Sequence, residues 1–95
     1  MAPSPDPDPP YAIVLSPGAR RALTDVLRSS TAAAAGEFIT GPLARRPRIV
    51  GVPLRAPFDG LWRARRGEYR VRYRIEEAAR TVIVLDVDHR RSAFR

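Results

Sequence analysis

The sequence predicts an α+β fold in which two N-terminal helices pack on one face of a small, antiparallel-rich sheet, in the order β-α-α-β-β-β. Residues 61–75 alternate apolar and arginine side chains around a Gly67-Glu68 turn, which is typical of a β-hairpin. Residues 17–39 place apolar side chains three and four positions apart, which is typical of helices packed on a sheet. At 95 residues, the chain is predicted to form a single folded domain with a modest core.

The first ten residues contain five prolines and two aspartates, a composition that predicts a disordered tail over residues 1–10 and a folded domain over residues 11–95. The apolar run at residues 11–15 predicts the first strand. Ser16 is then suited to cap a helix, and Pro17 is suited to the first position of that helix. The predicted apolar stripe of this first helix comprises Ala19, Ala22, Leu23, Val26 and Leu27.

The second helix is predicted to be capped by the hydroxyl side chains of residues 29–31 and to run to Ile39, with Gly41-Pro42 stopping it. Prolines at residues 47, 53 and 57 predict an irregular connection, with a possible strand lead-in at residues 53–55. Residues 81–87 are apolar on both faces until the end of the run, as expected of a strand covered on both sides for much of its length.

The turn sets the register of the hairpin if Gly67 supplies the positive φ of a type II′ turn. Arg65 then lies opposite Arg70, and Arg63 lies opposite Arg72. The predicted apolar face comprises Trp62, Ala64, Tyr69, Val71, Tyr73 and Ile75, and the opposite face comprises Arg63, Arg65, Arg70, Arg72 and Arg74. Like charges in opposed positions destabilise a sheet, so this face is expected to bind a polyanion or an acidic partner. The alternative is that this arginine face binds no partner and is simply exposed to water.

The charge composition fits a ligand with phosphate groups. The net charge is +7, and all seventeen basic residues are arginines, a bias that a GC-rich genome also explains. Arginine can neutralise phosphate but cannot act as a general base near neutral pH. Because the sequence has no cysteine and no cluster of metal ligands, we expect the protein to use neither a cofactor nor a metal ion. With no apolar run long enough to cross a bilayer, we expect a cytoplasmic protein.

Three segments carry a family resemblance: Leu54-Arg55, residues 60–75 and residues 84–90. Together with the element order, they resemble the RelE/ParE toxin superfamily of type II toxin–antitoxin systems, and most closely its RelE branch. The resemblance implies a metal-independent toxin that enters the ribosomal A site and cleaves mRNA by attack of a 2′-hydroxyl on the adjacent phosphate. It also implies an antitoxin that restrains the toxin and can bring the complex to operator DNA.

The resemblance also implies roles for individual residues. Arg70 and Arg90 are the catalytic residues that it implies, and Arg63 and Arg65 are the RNA contacts. Arg72 and Arg74, on the same arginine face, complete the candidate RNA- or ribosome-binding set. His89 joins the candidate catalytic set because it is the only side chain here whose ordinary pKa suits proton transfer near neutrality; a role in positioning Arg90 or in packing at the sheet edge stays equally open. Several family members have a catalytic tyrosine where this chain has Phe94. This departure leaves the identity of the general acid or base open.

Two other functions stay open for the same fold: ParE-like inhibition of DNA gyrase, and a non-catalytic module that binds an antitoxin and acts as a co-repressor. Parity places Trp62, Tyr69 and Tyr73 opposite the arginines, so these aromatic residues are predicted to pack in the core rather than to stack on bases. Asp86, Asp88 and Arg90 are two positions apart, so they are predicted to lie on the same face of the strand. The two aspartates either orient Arg90 or form plain ion pairs.

Overall fold

A computed structural model describes residues 9–89. The elements along the chain are β1 (Ala12–Leu15), α1 (Pro17–Arg21) with a π-helical extension (Ala22–Val26), α2 (Ser29–Phe38) with a second π-helical extension (Ile39–Leu43), α3 (Pro47–Val50), β2 (Val52–Pro53), β3 (Trp62–Arg66), β4 (Tyr69–Glu76) and β5 (Thr81–His89). Most of the predicted tail, together with Arg90 and Phe94, lies outside the described residues.

The strands form one sheet in the order β1-β5-β4-β3-β2. Strand β1 is parallel to β5, and the other neighbouring pairs are antiparallel. One core lies between the helices and this sheet, and its buried members include Ala19, Ala35, Phe38, Ile39, Leu43, Val71, Tyr73, Val82 and Val84. The predicted α+β class is confirmed, with α3 and β2 as two short additions in the connection predicted to be irregular.

The hairpin register agrees with the prediction. Arg65 pairs with Arg70, and Arg63 pairs with Arg72. Gly67 has a φ of 49°, the positive value that the tight turn requires at its first central position. Alternation therefore directs one set of hairpin side chains into the core and leaves the arginines on the opposite side of the sheet.

Helix α1 begins as predicted, but its apolar stripe shifts at the π-helical extension. The Ser16 hydroxyl accepts a hydrogen bond from the Ala19 N–H at 3.0 Å and donates one to the Leu85 carbonyl at 2.6 Å. This cap attaches the start of the helix to β5. Because a π-helical turn holds more residues than an α-turn, it changes the phase of the following side chains. Val26 is accordingly 69% exposed, and its prediction as a core residue is wrong.

The second helix spans Ser29–Phe38, close to the prediction, but neither of its predicted end signals acts as expected. Ser29 is already helical, and Arg28 at the N-cap position makes no side-chain capping hydrogen bond. At the other end, helical geometry continues through Gly41 and Pro42 as the π-helical extension. The wider turn accommodates a proline that has no N–H to donate, so this residue pair does not stop the helix.

Strand β5 contains a bulge that decides which of its side chains face the arginines. Arg72 lies opposite Asp86, whereas the next residue, Tyr73, lies opposite Val84, so Leu85 is the extra residue. The bulge lets both Val84 and Val87 face the helices, although they are three positions apart. The prediction of a strand covered on both sides is wrong. In the described part of the chain the helices cover one face only, and Ile83 and Leu85 stay half-buried.

Tyr73 is the largest fully buried side chain of the sheet. Its hydroxyl donates a hydrogen bond to the Pro47 carbonyl at 2.6 Å, which connects β4 to α3. Burial raises the pKa of Tyr73 to about 12, because the charged phenolate would lose its hydration.

This raised pKa predicts a loss of stability at high pH. The unfolded tyrosine loses its proton near pH 10, whereas the folded one keeps it to about pH 12. Its contribution is therefore complete below pH 10 and is lost as the pH rises toward 12. We expect denaturant titrations to show a falling free energy of unfolding over this range, with a shallower fall for Tyr73→Phe. Equal slopes for the two proteins would contradict the assignment.

Candidate functional site

The arginine side of the sheet carries a cleft with a volume of about 380 Å³. Strands β3, β4 and β5 form its floor, and the loop between β2 and β3 forms one wall. Seven residues line this arginine cleft: Leu54, Phe58, Arg63, Arg70, Arg72, Asp86 and Asp88. Alternation along β3 and β4 brings the three guanidinium groups to the same side, and the β5 bulge brings the two carboxylates there.

Arg72 is held in place by an ion pair across the sheet. Its Nε donates to Asp86 Oδ2 at 2.9 Å, and its Nη2 contacts the same oxygen. The Asp86 hydrogen bond is the main cause that raises the pKa of Arg72, with a smaller effect from Asp88. Of the two readings left open for Asp86, the structure shows an ion pair, and that pair is made with Arg72.

The carboxylates change the electrostatic expectation for this face. Arg70 lies opposite Arg65 on one side and Asp88 on the other, just as Arg72 lies between Arg63 and Asp86. Part of the like-charge repulsion predicted for the hairpin is thus offset inside the protein. Two carboxylates do not balance the five arginines of this face, so the surface still favours an anionic ligand.

Arg63 has an unused hydrogen-bond donor. Its side chain is half-buried in the cleft, and its Nε is buried with no acceptor among the described residues. A buried donor without a partner lowers stability. Because this Nε has almost no accessible surface, an anion in the cleft meets the other guanidinium donors, whose paired geometry matches the oxygens of a phosphate group.

The remaining candidate residues within residues 9–89 lie outside this cleft. Arg65 is exposed and lines a smaller depression with Arg70 beside the hairpin turn. Arg74 is exposed on the same side of the sheet. His89 pairs in register with the buried Tyr69, so it lies on the helix side, where its Nε2 is 3.2 Å from Glu68 Oε2. The structure therefore brings Arg63, Arg70 and Arg72 together and separates His89 from them.

The prediction for the hairpin aromatic residues is confirmed, and a different aromatic residue lines the site. Tyr69 and Tyr73 are buried, and Trp62 stacks on Tyr73 at a centroid distance of 6.4 Å. Phe58, which follows Pro57 in the connection predicted to be irregular, is 51% exposed in the cleft wall. The sequence contained one signal for this role: Phe58 is a large aromatic residue among turn-forming residues, shortly before the arginine-rich strand.

Over residues 9–89, no cluster of three or more His, Cys, Asp or Glu side chains could hold a metal ion. Within the same range, no helix is both long and apolar enough to span a membrane. The chemistry available at the cleft is therefore that of guanidinium donors, two carboxylates and an apolar wall.

Comparisons with known proteins agree with this architecture. A family model described as the ParE toxin of type II toxin–antitoxin systems, parDE, matches residues 10–94. Toxin RelG of Mycobacterium tuberculosis is 44% identical over 86 residues, covering 90% of this chain and 98% of RelG. Toxin RelE of the same organism is 39% identical over 88 residues, covering 93% of this chain and 90% of RelE.

Solved structures show the same fold. The toxin–antitoxin complex RelBE2 from M. tuberculosis contains a chain that matches with a TM-score of 0.81 and 46% identity, over 85% of this chain and 99% of that one. The intact Escherichia coli RelBE complex matches with a TM-score of 0.67 and 17% identity, over 83% and 95% of the two chains, and supports the fold alone. The fold is that of RelE-type toxins. The chain belongs to the ParE toxin family of type II toxin–antitoxin systems and resembles its RelE-named members, as the sequence predicted.

Proposed function

We propose that this toxin is an endoribonuclease that cleaves mRNA in the ribosomal A site and acts in the cytoplasm without a metal ion. The observation that supports the proposal best is the convergence of Arg63, Arg70 and Arg72 on one cleft. Three guanidinium groups, of which Arg72 is held by Asp86, can bind an RNA phosphate and stabilise the additional negative charge that develops on it during cleavage.

In the proposed reaction, the 2′-oxygen of one nucleotide bonds to the adjacent phosphorus while the bond from phosphorus to the 5′-oxygen of the next nucleotide breaks. The products are a 2′,3′-cyclic phosphate and a 5′-hydroxyl. A proton leaves the 2′-hydroxyl, and another reaches the departing 5′-oxygen. Arginine does not exchange these protons near neutral pH, so its contribution is electrostatic.

His89 remains the proposed general acid or base, and Arg90 a proposed second phosphate contact. His89 follows Asp88, which lies opposite Arg70. Because His89 and Asp88 point to opposite faces of β5, a proton-transfer role for His89 requires the reacting phosphate to reach the end of this strand, where its two faces meet. Arg65 and Arg74, which extend the positive surface beyond the cleft, are proposed to contact flanking RNA or the ribosome.

We also propose a cognate protein antitoxin with an acidic or amphipathic segment that covers Arg63, Arg65 and Arg70. The related M. tuberculosis structure is a toxin–antitoxin complex, which supports such a partner. In this proposal, operator DNA is bound through the antitoxin. A neutralised complex that leaves these three arginines exposed to solvent would contradict direct masking of the site.

Ribosomes programmed with a defined mRNA would test the main proposal. We expect the wild-type protein to cut within the A-site codon, with RNA ends that carry a 2′,3′-cyclic phosphate and a 5′-hydroxyl. If His89 transfers a proton, His89→Ala should lower the cleavage rate and change its dependence on pH. A soluble wild-type protein that leaves the mRNA intact would contradict the nuclease proposal.

The second candidate, inhibition of DNA gyrase, is supported by the match of the ParE family model to residues 10–94. A gyrase supercoiling assay run with the same preparation distinguishes the two activities. Inhibition of supercoiling without mRNA cleavage would favour the gyrase inhibitor, and the absence of both would favour a non-catalytic antitoxin-binding module.

A further inference from the structure

Phe58 is an exposed aromatic residue in the wall of the arginine cleft. Its side chain is 51% exposed, although a buried phenylalanine would stabilise the fold. Among the described residues, the other large apolar side chains with comparable exposure are Val14, Val26, Ile49 and Val52, and none of them lines this cleft. The exposed ring and the guanidinium groups therefore face the same space.

The loop between β2 and β3 fixes the position of Phe58 through its backbone. The Leu54 N–H donates to the Leu61 carbonyl at 2.8 Å and closes the loop. Inside it, the Phe58 N–H donates to the Arg55 carbonyl at 2.9 Å, and the Phe58 carbonyl accepts from the Leu61 N–H at 3.1 Å. Two consecutive tight turns thus hold the residue without burying its ring. A ligand that binds this ring meets a largely fixed backbone, which lowers the entropic cost of binding.

Other aromatic rings of the described chain are engaged within the protein. Phe38 packs on Tyr69 at a centroid distance of 6.3 Å, and Trp62 stacks on Tyr73. The Arg80 guanidinium lies 4.3 Å from the centroid of the Tyr11 ring. Phe58 makes no such ring or cation contact with residues 9–89. Its face is available to a planar ligand.

We propose that Phe58 is a base-stacking residue that determines how the RNA is positioned in the cleft. A nucleotide combines an anionic phosphate with a planar base, and the cleft combines three guanidinium groups with one exposed aromatic ring. Its volume of about 380 Å³ is at the lower end of the range for small-ligand sites, which suits one nucleotide. This inference rests on the proposed RNA substrate and adds a substrate-binding residue to it.

In this arrangement Arg63, Arg70 and Arg72 hold the phosphate while the neighbouring base lies on Phe58. Stacking on an aromatic ring is tolerant of base identity and is strong enough to orient a flexible strand. An aliphatic side chain keeps only part of an apolar contact with a protein partner, and it cannot stack on a base. Replacing Phe58 with leucine or with tryptophan therefore separates the two kinds of ligand.

The test uses 70S ribosomes carrying an mRNA in which 2-aminopurine replaces one base of the A-site codon. A 2′-O-methyl group at the cleavage position prevents the reaction. Stacking quenches 2-aminopurine, so fluorescence reports the contact directly. We expect the wild type and Phe58→Trp to quench the probe in at least one codon position. Phe58→Leu should leave it bright and bind about 10- to 100-fold more weakly. Ile49→Ala, at an exposed site in α3, should match the wild type.

Several results would overturn the proposal. Equal quenching and equal affinity for the wild type and Phe58→Leu would exclude stacking on this ring. A wild-type protein that quenches the probe at none of the codon positions would exclude it as well. Weaker antitoxin binding by Phe58→Leu, with unchanged RNA binding, would assign the residue to a protein interface instead. Cleavage of unmodified mRNA by the wild type, measured in parallel, reports separately on the nuclease proposal. Thermal unfolding of each variant verifies that the fold is intact.

Discussion

Arg70→Ala is expected to lower the rate of mRNA cleavage on programmed ribosomes by about 100-fold or more, the effect typical of removing one fixed donor from a charged transition state. Arg70 lies in the middle strand of the cleft floor and has Arg63 and Arg72 as cleft neighbours. Truncation removes its paired donors and leaves Asp88 opposite an uncharged residue. Single-turnover cleavage with ribosomes in excess would measure the chemical step without a contribution from product release.

Two matched variants separate the role of Arg70 from that of net charge. Arg20→Ala removes the same charge from an exposed position in α1, and its rate should stay within about twofold of the wild type. Arg70→Lys should fall between the wild type and Arg70→Ala, because lysine keeps the charge but loses the planar pair of donors. Equal losses for Arg20→Ala and Arg70→Ala would indicate a general electrostatic effect and would remove Arg70 from the site.

The arginine face could be predicted because its determinants are local. Alternation along residues 62–66 and 69–75 and a turn at Gly67 are sufficient to set the hairpin register. The positions of the two acidic residues in the site were harder to predict from the sequence. Residues 81–87 are almost all apolar, so they do not alternate with polar residues. A bulge is visible in a sequence only as a break in such an alternation, and the bulge at Leu85 therefore left no signal. That bulge places Asp86 and Asp88 beside the arginines and His89 on the other side.

The apolar wall of the cleft was missed for a different reason. Proline-rich turns predict that the chain is irregular between β2 and β3 but do not predict its direction. The position of Phe58 depends on the hydrogen bond between Leu54 and Leu61, which closes the loop. The predicted stop of the second helix was wrong because local end signals are weak compared with tertiary packing: helical geometry continues past Gly41-Pro42 and buries Leu43.

Gly51→Ala is expected to lower the free energy of unfolding by about 3 kcal/mol. The φ of Gly51 is −136°, which any residue can adopt, so glycine is required by space and not by conformation. A Cβ atom would lie 2.1 Å from the Tyr73 hydroxyl oxygen and 2.8 Å from the Arg63 carbonyl oxygen. Tyr73 is fully buried and donates to Pro47, so it has little room to move. Urea unfolding would measure the loss.

The chain supplies its own control for this substitution. Gly36 lies inside α2, and a Cβ there would meet no atom within 4 Å. Gly36→Ala should therefore raise the free energy of unfolding by about 0.5–1 kcal/mol through helix propensity alone. Adding Tyr73→Phe to Gly51→Ala removes the nearest contact and should recover part of the loss, while the contact with the Arg63 backbone persists. A Gly51→Ala protein as stable as the wild type would show that β2 can move away from β3 without cost. Arg63 would then be less rigidly held at the cleft than its neighbours on β4.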